Sequence, residues 1–553
     1  MTDKLSKDRR SANMRAIRSR DMKPELRVRQ AAHSFGYRFR LHRNDLPGKP
    51  DLVFPKRQKI IFVHGCFWHQ HKGCIDGRAP KSNAGYWRPK LARNVKRDAE
   101  HIPFTDAGSY PIRSGNAVRP LVDGVPAFRR ICEAVDAARH SVWVTVAFYH
   151  PDFRMPDGRS LWDVLDEAAG RGLDVRVIFW RDVGSELTKP RVHFPGTEAE
   201  RSMLRARGSR FLARWDQAQG TYCQHQKSWL VDAGRDGEVA FVGGINLNPA
   251  SVVTPGHPPT DAGNTHDVYV ELKGPSASDV HHNFVQRWNE ASDRDQPDGF
   301  WPEDSPTAAL PFPTIASAEC GDAVVQLQRT VRGAMYTDGT PAPGGQAFDI
   351  AQGELSIADQ YVKAIDAAQR TIYLEDQAIG SPAIVASLHA ALERGVRVGF
   401  VVPINVHWGM ALARKSPRTA EFFGALAALG SFDNFTMAGL ASRRPSGEYQ
   451  DVYVHAKVAL VDDAWCTIGS CNTANRSFYG DTEMNASIWH APTVRALRAE
   501  LLGEHLAVDT TGVDDVTALG VFAQVARENA HRRAVGDPQQ GLALALDPAT
   551  YAG

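Results

Sequence analysis

His225 and Lys227 stand two apart in HQKSWLVD, and 230 residues later His455 and Lys457 do the same in HAKVALVD. Both segments read HxKx4D, ending on Asp232 and Asp462, and each is followed by a small-residue turn and an Asn, GGIN with Asn246 and GSCN with Asn472. On a β-strand, side chains two apart share a face, so each His lies beside its Lys. An imidazole next to a cation makes a place for a phosphate. Where two such sets meet, one imidazole attacks phosphorus while the other protonates the leaving oxygen. The two Lys and two Asn then hold charge on the non-bridging oxygens, and the lysines supply the positive charge without a metal. Downstream lie Asp267 in THDVYVEL and Glu483 in GDTEMNASIW. A carboxylate so placed fixes an imidazole tautomer by accepting its second N–H. Asp232 and Asp462 fall at the strand ends, where capping the turn is their expected task. Ser470 offers a hydroxyl in the second turn where Gly244 offers none, a difference expected to matter little.

The N-terminus carries a different set. Glu25 lies on a helical segment, Asp51 enters a strand, and His64 and His69 close the next one, KIIFVHGCFWHQH. A carboxylate and imidazoles near strand ends suit metal-assisted phosphodiester hydrolysis, with Asp51 on Mg²⁺ and His69 as base. Exposed Phe67, Trp68 and Trp87 would be costly unless they pack or intercalate between bases.

An internal repeat shows which elements must position these groups. AVDAARHSVWVTVAF at 134–148 matches AIDAAQRTIYLEDQAI at 364–379, and LDEAAGRGLDVRVIFW at 165–180 matches LHAALERGVRVGFVVP at 388–403. Each pair reads as the end of a helix running into a β-branched strand, with glycine stops at Gly172 and Gly395 in the second pair. Two α/β halves follow. The Pro- and acid-rich stretch 295–313 reads as their link, and 338–346 and 248–265 as loops, the latter long enough to border a site.

Charge divides the chain once more. Its 553 residues carry a formal charge of +2, yet residues 1–100 sum to +16 and 101–553 to −14. Such contrast points to a fusion of two units with different partners, the basic one suited to nucleic acid and the acidic one poorly suited to a nuclease channel. The expected divisions are 1–105, 106–305 and 306–553. No 18 consecutive residues are apolar and no signal peptide opens the chain, so a cytoplasmic protein is expected. Cys132, Cys223, Cys320, Cys466 and Cys471 lie in apolar or small-residue contexts and read as inert thiols.

With both HxKx4D motifs and the flanks HDVYVELKGPSASDVHHNFVQRWN and DTEMNASIWHAPTVRALRAELLGEHL, residues 110–553 resemble the phospholipase D superfamily. The resemblance implies two α/β/α sandwich halves forming one pseudo-twofold catalytic unit. It also implies hydrolysis or transfer of a phospholipid head group at a membrane surface, through a phosphohistidine on His225 with His455 as acid. Loops near Trp408 and at 248–265 are the candidate membrane-facing surface, with a core position the equal alternative for Trp408.

KPELRVRQ, LPGKPDLVF, FVHGCFWHQH and YWRPKLARNVKRD resemble the very-short-patch-repair (Vsr) endonucleases, which nick DNA beside T:G mismatches. The resemblance implies a partial restriction-endonuclease-like α/β domain and a zinc on Cys66, His71 and Cys74, buried free thiols being the alternative. It departs from the family in the residue inserted before Cys74 and in the absence of the later strand that carries a fourth ligand. A second function class therefore stands beside the first, a DNA-processing nuclease whose basic unit nicks or binds mismatched DNA.

Overall fold

The computed structural model describes residues 23–34, 36–41, 52–54, 59–61, 102–182, 194–292 and 309–553. Contacts divide the chain into two compact units, Met1–Glu100 and His101–Gly553. The second begins ahead of the boundary expected at 105: Ile102 is buried in its core, and the Thr105 hydroxyl donates to Asp359 at 2.5 Å.

In the first unit, Pro24 falls in the first turn of the helix Lys23–Ser34, where its missing N–H costs nothing, and Gly36 follows at φ 77°. Strands Arg40–Leu41, Leu52–Phe54 and Lys59–Ile61 form an antiparallel sheet. Ala32, Leu52 and Phe54 are buried together, with Val28 and Phe39 packed against them. Asp51, His64, His69, Cys66, His71 and Cys74 lie outside the described residues, as do Phe67, Trp68 and Trp87. Of Glu25 only its place on the helix is described.

The second unit is built on one run of paired strands. From one edge come Leu212–Gln217, Asp174–Arg181, Ser141–Val146, Ser228–Val231, Val239–Gly243, Val268–Lys273 and Arg113–Val122. The run continues through Ala323–Arg332, Glu483–Trp489, Trp465–Gly469, Lys457–Val461, Thr371–Asp376, Arg397–Val401 and Phe435–Arg443. The second list repeats the first in reverse. The join is the antiparallel pair Arg113–Val122 with Ala323–Arg332, as a twofold between halves requires. In each half three strands are parallel, as helical crossovers demand, and the HxK strand pairs antiparallel to the first of them.

Helices cover both faces. Along Thr371–Asp376, Ile372 and Leu374 pack with the helices Ser356–Ala367 and Pro382–Glu393, while Tyr373 packs with Ala491–Leu506 and Asp515–Val535. This two-sided burial explains the near-continuous apolar strands. Gly172 and Gly395, at φ 85° and 88°, end their helices as expected. Among the described residues no helix is long and apolar enough to cross a membrane. Cys132, Cys223, Cys466 and Cys471 are buried, and Cys320 is exposed in the coil before strand Ala323–Arg332.

Candidate active site between the two halves

Both HxK segments sit where the halves meet. Neither His is on its half's regular strand, which starts at Ser228 in one case and Lys457 in the other. Just ahead of that start, the backbone turns to the opposite half. His225 N–H donates to Thr482 O at 3.0 Å, and His455 N–H donates to His266 O at 2.8 Å. The residues after those two carbonyls are Glu483 and Asp267.

The carboxylates consequently cross over. His225 Nδ1 lies 2.9 and 3.0 Å from the Glu483 oxygens, and His455 Nδ1 lies 2.5 Å from Asp267 Oδ2. Each imidazole is held by the half it does not belong to. Asn246 crosses too, with Nδ2 3.4 Å from His455 Nε2. Among the described residues nothing donates to the buried Oδ1 atoms of Asn246 and Asn472, an arrangement open to a further polar group. Lys227 Nζ donates to His225 O at 2.7 Å and lies 5.8 Å from the centre of the Phe148 ring. Lys457 Nζ likewise donates to His455 O, and to Gln377 Oε1 at 3.4 Å.

His225 and His455 are each 7% exposed, and burial sets their chemistry. Burial, reinforced by Lys227, holds the His225 imidazole well below its usual range, and burial with Lys457 and Lys227 does the same to His455. Burial lifts Glu483 and Asp267 to about 7 against the opposing ammonium groups. It lowers Lys227 to about 8 and lowers Lys457 as well. Above about pH 7 the resting pairs are therefore neutral imidazoles donating Nδ1–H to carboxylates, with the Nε2 lone pair of His455 facing Asn246 Nδ2. Such a site can attack an electrophile with one ring while the other manages a proton.

The repeat also hides a difference. Asp376 stands where the first half has Val146; burial raises it to about 7, and it accepts from the amides of Ala378 at 2.8 Å and Thr473 at 2.7 Å. Lys457 is the main charge opposing that rise. The aligned segments displayed Asp376 at a strand end, the signal that singles it out. The two turns matter more than expected. Ser470 Oγ donates to Glu483 at 2.5 Å, whereas a Cβ added to Gly244 would fall 2.3 Å from Asp267 Oδ1.

Asp232 and Asp462 lie away from the imidazoles. Asp232 accepts the amides of Arg139, His140 and Ser141 at 2.7–3.2 Å, and Asp462 those of Gln369, Arg370 and Thr371 at 2.8 Å. Each ties the end of its own strand to the start of the neighbouring one. Trp408 is 72% and Leu412 63% exposed on the helix Trp408–Arg414, which settles Trp408 against the core alternative. The 248–265 segment is not an apolar surface, because Val253, His257 and Asn264 are drawn into the interior. Among the described residues, the His and carboxylate groups close enough to share a metal ion gather around His266 and include neither His225 nor His455.

Three family profiles match the chain: DNA mismatch endonuclease Vsr over residues 2–75, phospholipase D over 259–391, and cardiolipin synthase, PLD-like domain, over 361–504. A type II nicking enzyme of Xanthomonas oryzae pv. oryzae is 57% identical over 98 residues, 18% of this chain and 71% of that protein. Cardiolipin synthase A of Pseudomonas entomophila is 27% identical over 404 residues, 71% of this chain and 70% of that one. The solved phosphatidylserine synthase of Haemophilus influenzae is 13% identical, with a TM-score of 0.48 over 73% of this chain and 89% of its own.

Proposed function

Through its duplicated part the chain belongs to the phospholipase D superfamily and through residues 2–75 to the Vsr mismatch-endonuclease family, and from that premise we propose a phosphohistidine phosphodiesterase that hydrolyses or transfers a phospholipid head group. One observation carries the reading: each imidazole is oriented by a carboxylate of the opposite half, which joins two weak motifs into one two-His site. His225 Nε2 attacks phosphorus, and the P–O bond to the leaving alcohol breaks. The anionic phosphodiester favours the protonated ring at His455, and Asp267, 2.5 Å away, stabilises that ring until its Nε2 proton passes to the leaving oxygen. Water or an acceptor alcohol then gives its proton to His455 and attacks the phosphohistidine. The P–N bond breaks and free His225 returns. Lys227, Lys457, Asn246 and Asn472 stabilise the equatorial oxygens.

A phospholipid substrate is supported by the likeness to cardiolipin synthase A across 71% of the chain and by the net charge of −14 over residues 101–553. Exposed Trp408 and Leu412 suit contact with a bilayer surface. The test is head-group release from vesicles of phosphatidylglycerol or phosphatidylethanolamine without added metal, with acid-labile phosphate trapped on the protein. Turnover is expected in the parent protein and neither turnover nor trapped phosphate in His225→Ala. Full activity in that variant would overturn the mechanism.

A second reading rests on the 57% identity to a nicking enzyme. On this reading residues 1–100, with a net charge of +16, would nick DNA beside a mismatch, with Asp51 the proposed Mg²⁺ ligand, His69 the proposed base, Glu25 and His64 further candidates for that site, and Cys66, His71 and Cys74 the proposed zinc ligands. Nicking of a T:G duplex, lost in Asp51→Ala and kept in His225→Ala, is the expected result. Equal nicking by parent and Asp51→Ala proteins would overturn it.

A further inference from the structure

Behind the His455 side of the active site, four buried ligand-type groups converge from distant parts of the second unit. Asp123 precedes the helix Gly124–Ala137, His257 lies in the 248–265 segment, His266 precedes the strand Val268–Lys273, and Glu504 comes from the helix Ala491–Leu506 of the second half. The side chains of Asp123, His257 and His266 are 0% exposed and that of Glu504 is 6% exposed. His257 Nε2 is 3.2 Å from His266 Nδ1 and 3.3 Å from both Asp123 Oδ2 and Glu504 Oε1, and His266 Nδ1 is 2.9 Å from Asp123 Oδ1. Tetrahedral zinc with bonds of about 2.0–2.1 Å sets its ligand atoms about 3.3–3.4 Å apart, so these spacings need only a small expansion.

The hydrogen bonds around the cluster orient both rings. Asn264 Nδ2 donates to His257 O at 3.0 Å, which leaves Asn264 Oδ1 facing His257 Nδ1 at 2.7 Å, and that ring hydrogen belongs on Nδ1. Glu375 Oε2 accepts from His266 Nε2 at 3.0 Å and is itself braced by the Tyr373 hydroxyl, which donates to Oε1 at 2.6 Å. The same outward bonds turn His257 Nε2 and His266 Nδ1 inward toward Asp123 and Glu504. Protons held on the rings offset the two carboxylates when no metal is bound, and the same four groups lie close enough to serve as the ligands of one ion. Among the described residues Asp123 Oδ2 and Glu504 Oε2 accept no hydrogen bond, and Gly256 N–H donates to Glu504 Oε1 at 2.7 Å. A metal-bound histidine whose other nitrogen donates to a carboxylate or an amide oxygen is the usual outer arrangement of a zinc site. His257 also holds φ 48°, in the left-handed region, a conformation that aims its ring inward at some cost.

We propose that Asp123, His257, His266 and Glu504 bind a divalent metal ion of the zinc type that ties the two halves together behind His455. Two imidazoles with two carboxylates suit zinc, whereas magnesium and calcium take oxygen ligands. The ion is separate from the phosphate site, and it acts by position. His266 O accepts the amides of His455 at 2.8 Å and Ala456 at 3.1 Å, and the next residue, Asp267, holds the His455 ring. Glu504 supplies the ligand from the second half, so the metal fixes the register in which the catalytic segments cross.

The test uses tag-free full-length protein dialysed against metal-free buffer, its zinc measured by mass spectrometry. To separate this site from any N-terminal zinc, the Cys66→Ser, Cys74→Ser double variant is the reference, since its second unit is untouched. It is expected to retain about one equivalent of zinc, to melt at a lower temperature after chelation, and to recover when zinc is returned. Adding His257→Gln or Asp123→Asn should remove that equivalent and the response of melting to zinc. Cobalt exchanged into the reference protein should show the intense visible bands of a tetrahedral site without thiolate charge transfer. A reference protein that holds no zinc after growth with zinc supplied, or one whose zinc content is unchanged by His257→Gln, would overturn the proposal. The reference measurement decides the matter even if the added substitutions fail to fold.

Discussion

In the first half the strand Ser141–Val146 ends on Val146, and in the second half the equivalent strand Thr371–Asp376 ends on Asp376. Lys227 lies near the Phe148 ring and is faced by Glu483 and Asp267, while Lys457 is faced by Asp267, Asp376 and Glu483 and reaches Gln377, so Asp376 is the added carboxylate. The halves thus share a backbone and a set of hydrogen bonds but differ in how far each cation is neutralised. Burial and both ammonium groups hold both imidazoles well below their usual range, so substitutions are what separate the proposed nucleophile His225 from the proposed acid His455.

The largest expected effect breaks the comparison directly. His225→Ala and His455→Ala should each lower kcat on phospholipid by about 10³-fold or more. A soluble diester with a p-nitrophenolate leaving group, which needs no proton, should restore much of the rate to His455→Ala and none to His225→Ala. Recovery in the opposite variant would reverse the assigned roles.

Removing the crossing carboxylates comes next. Glu483→Gln and Asp267→Asn should each cost about 10–100-fold in kcat with little change in KM. Gly244→Ser should resemble Asp267→Asn, since its Cβ would press on Asp267 Oδ1.

The pH profile sharpens the same pairs. Glu483 and Asp267, raised to about 7 by burial, must lose a proton before they accept Nδ1–H, so kcat/KM should rise with pH through about 7. Lys227, lowered to about 8, loses its charge above that value, so activity should fall again there. Glu483→Gln should flatten the acid limb, and a limb that persists with both carboxylates replaced would assign it elsewhere. The smallest effect is expected at the surface. Trp408→Ala with Leu412→Ala should raise KM on vesicles about two- to fivefold, a modest loss of bilayer contact, and leave the soluble diester untouched.

Much of this arrangement was legible in the residues. The β-branched strands of the repeat, the glycine stops at Gly172 and Gly395 and the 230-residue offset are local or self-similar signals, and those strands and helices appear where expected, whereas the HxK strands begin only after His225 and His455. Asp232 and Asp462 read as caps of their own turns, but they accept amides 91 to 93 residues away at the start of the neighbouring strand, a partnership that no local pattern specifies. Three further features were not legible. Ser470 and Gly244 looked interchangeable until their distances to Glu483 and Asp267 were known. The 248–265 segment has the composition of a surface loop, yet it carries His257 into the interior, where long-range partners outweigh local polarity. Trp408 had no periodic pattern to choose between surface and core.

The amino-acid sequence by itself determined that two like halves each bring a His, a Lys, an Asn and a carboxylate, since alternation along a strand and turn chemistry are short-range properties. Only the tertiary structure decided that Glu483 serves His225 and Asp267 serves His455, and that Asp123, His257, His266 and Glu504 meet. Those partnerships depend on which segments lie side by side across the interface between halves, and no local pattern specifies a neighbour 188 or 258 residues away in the chain.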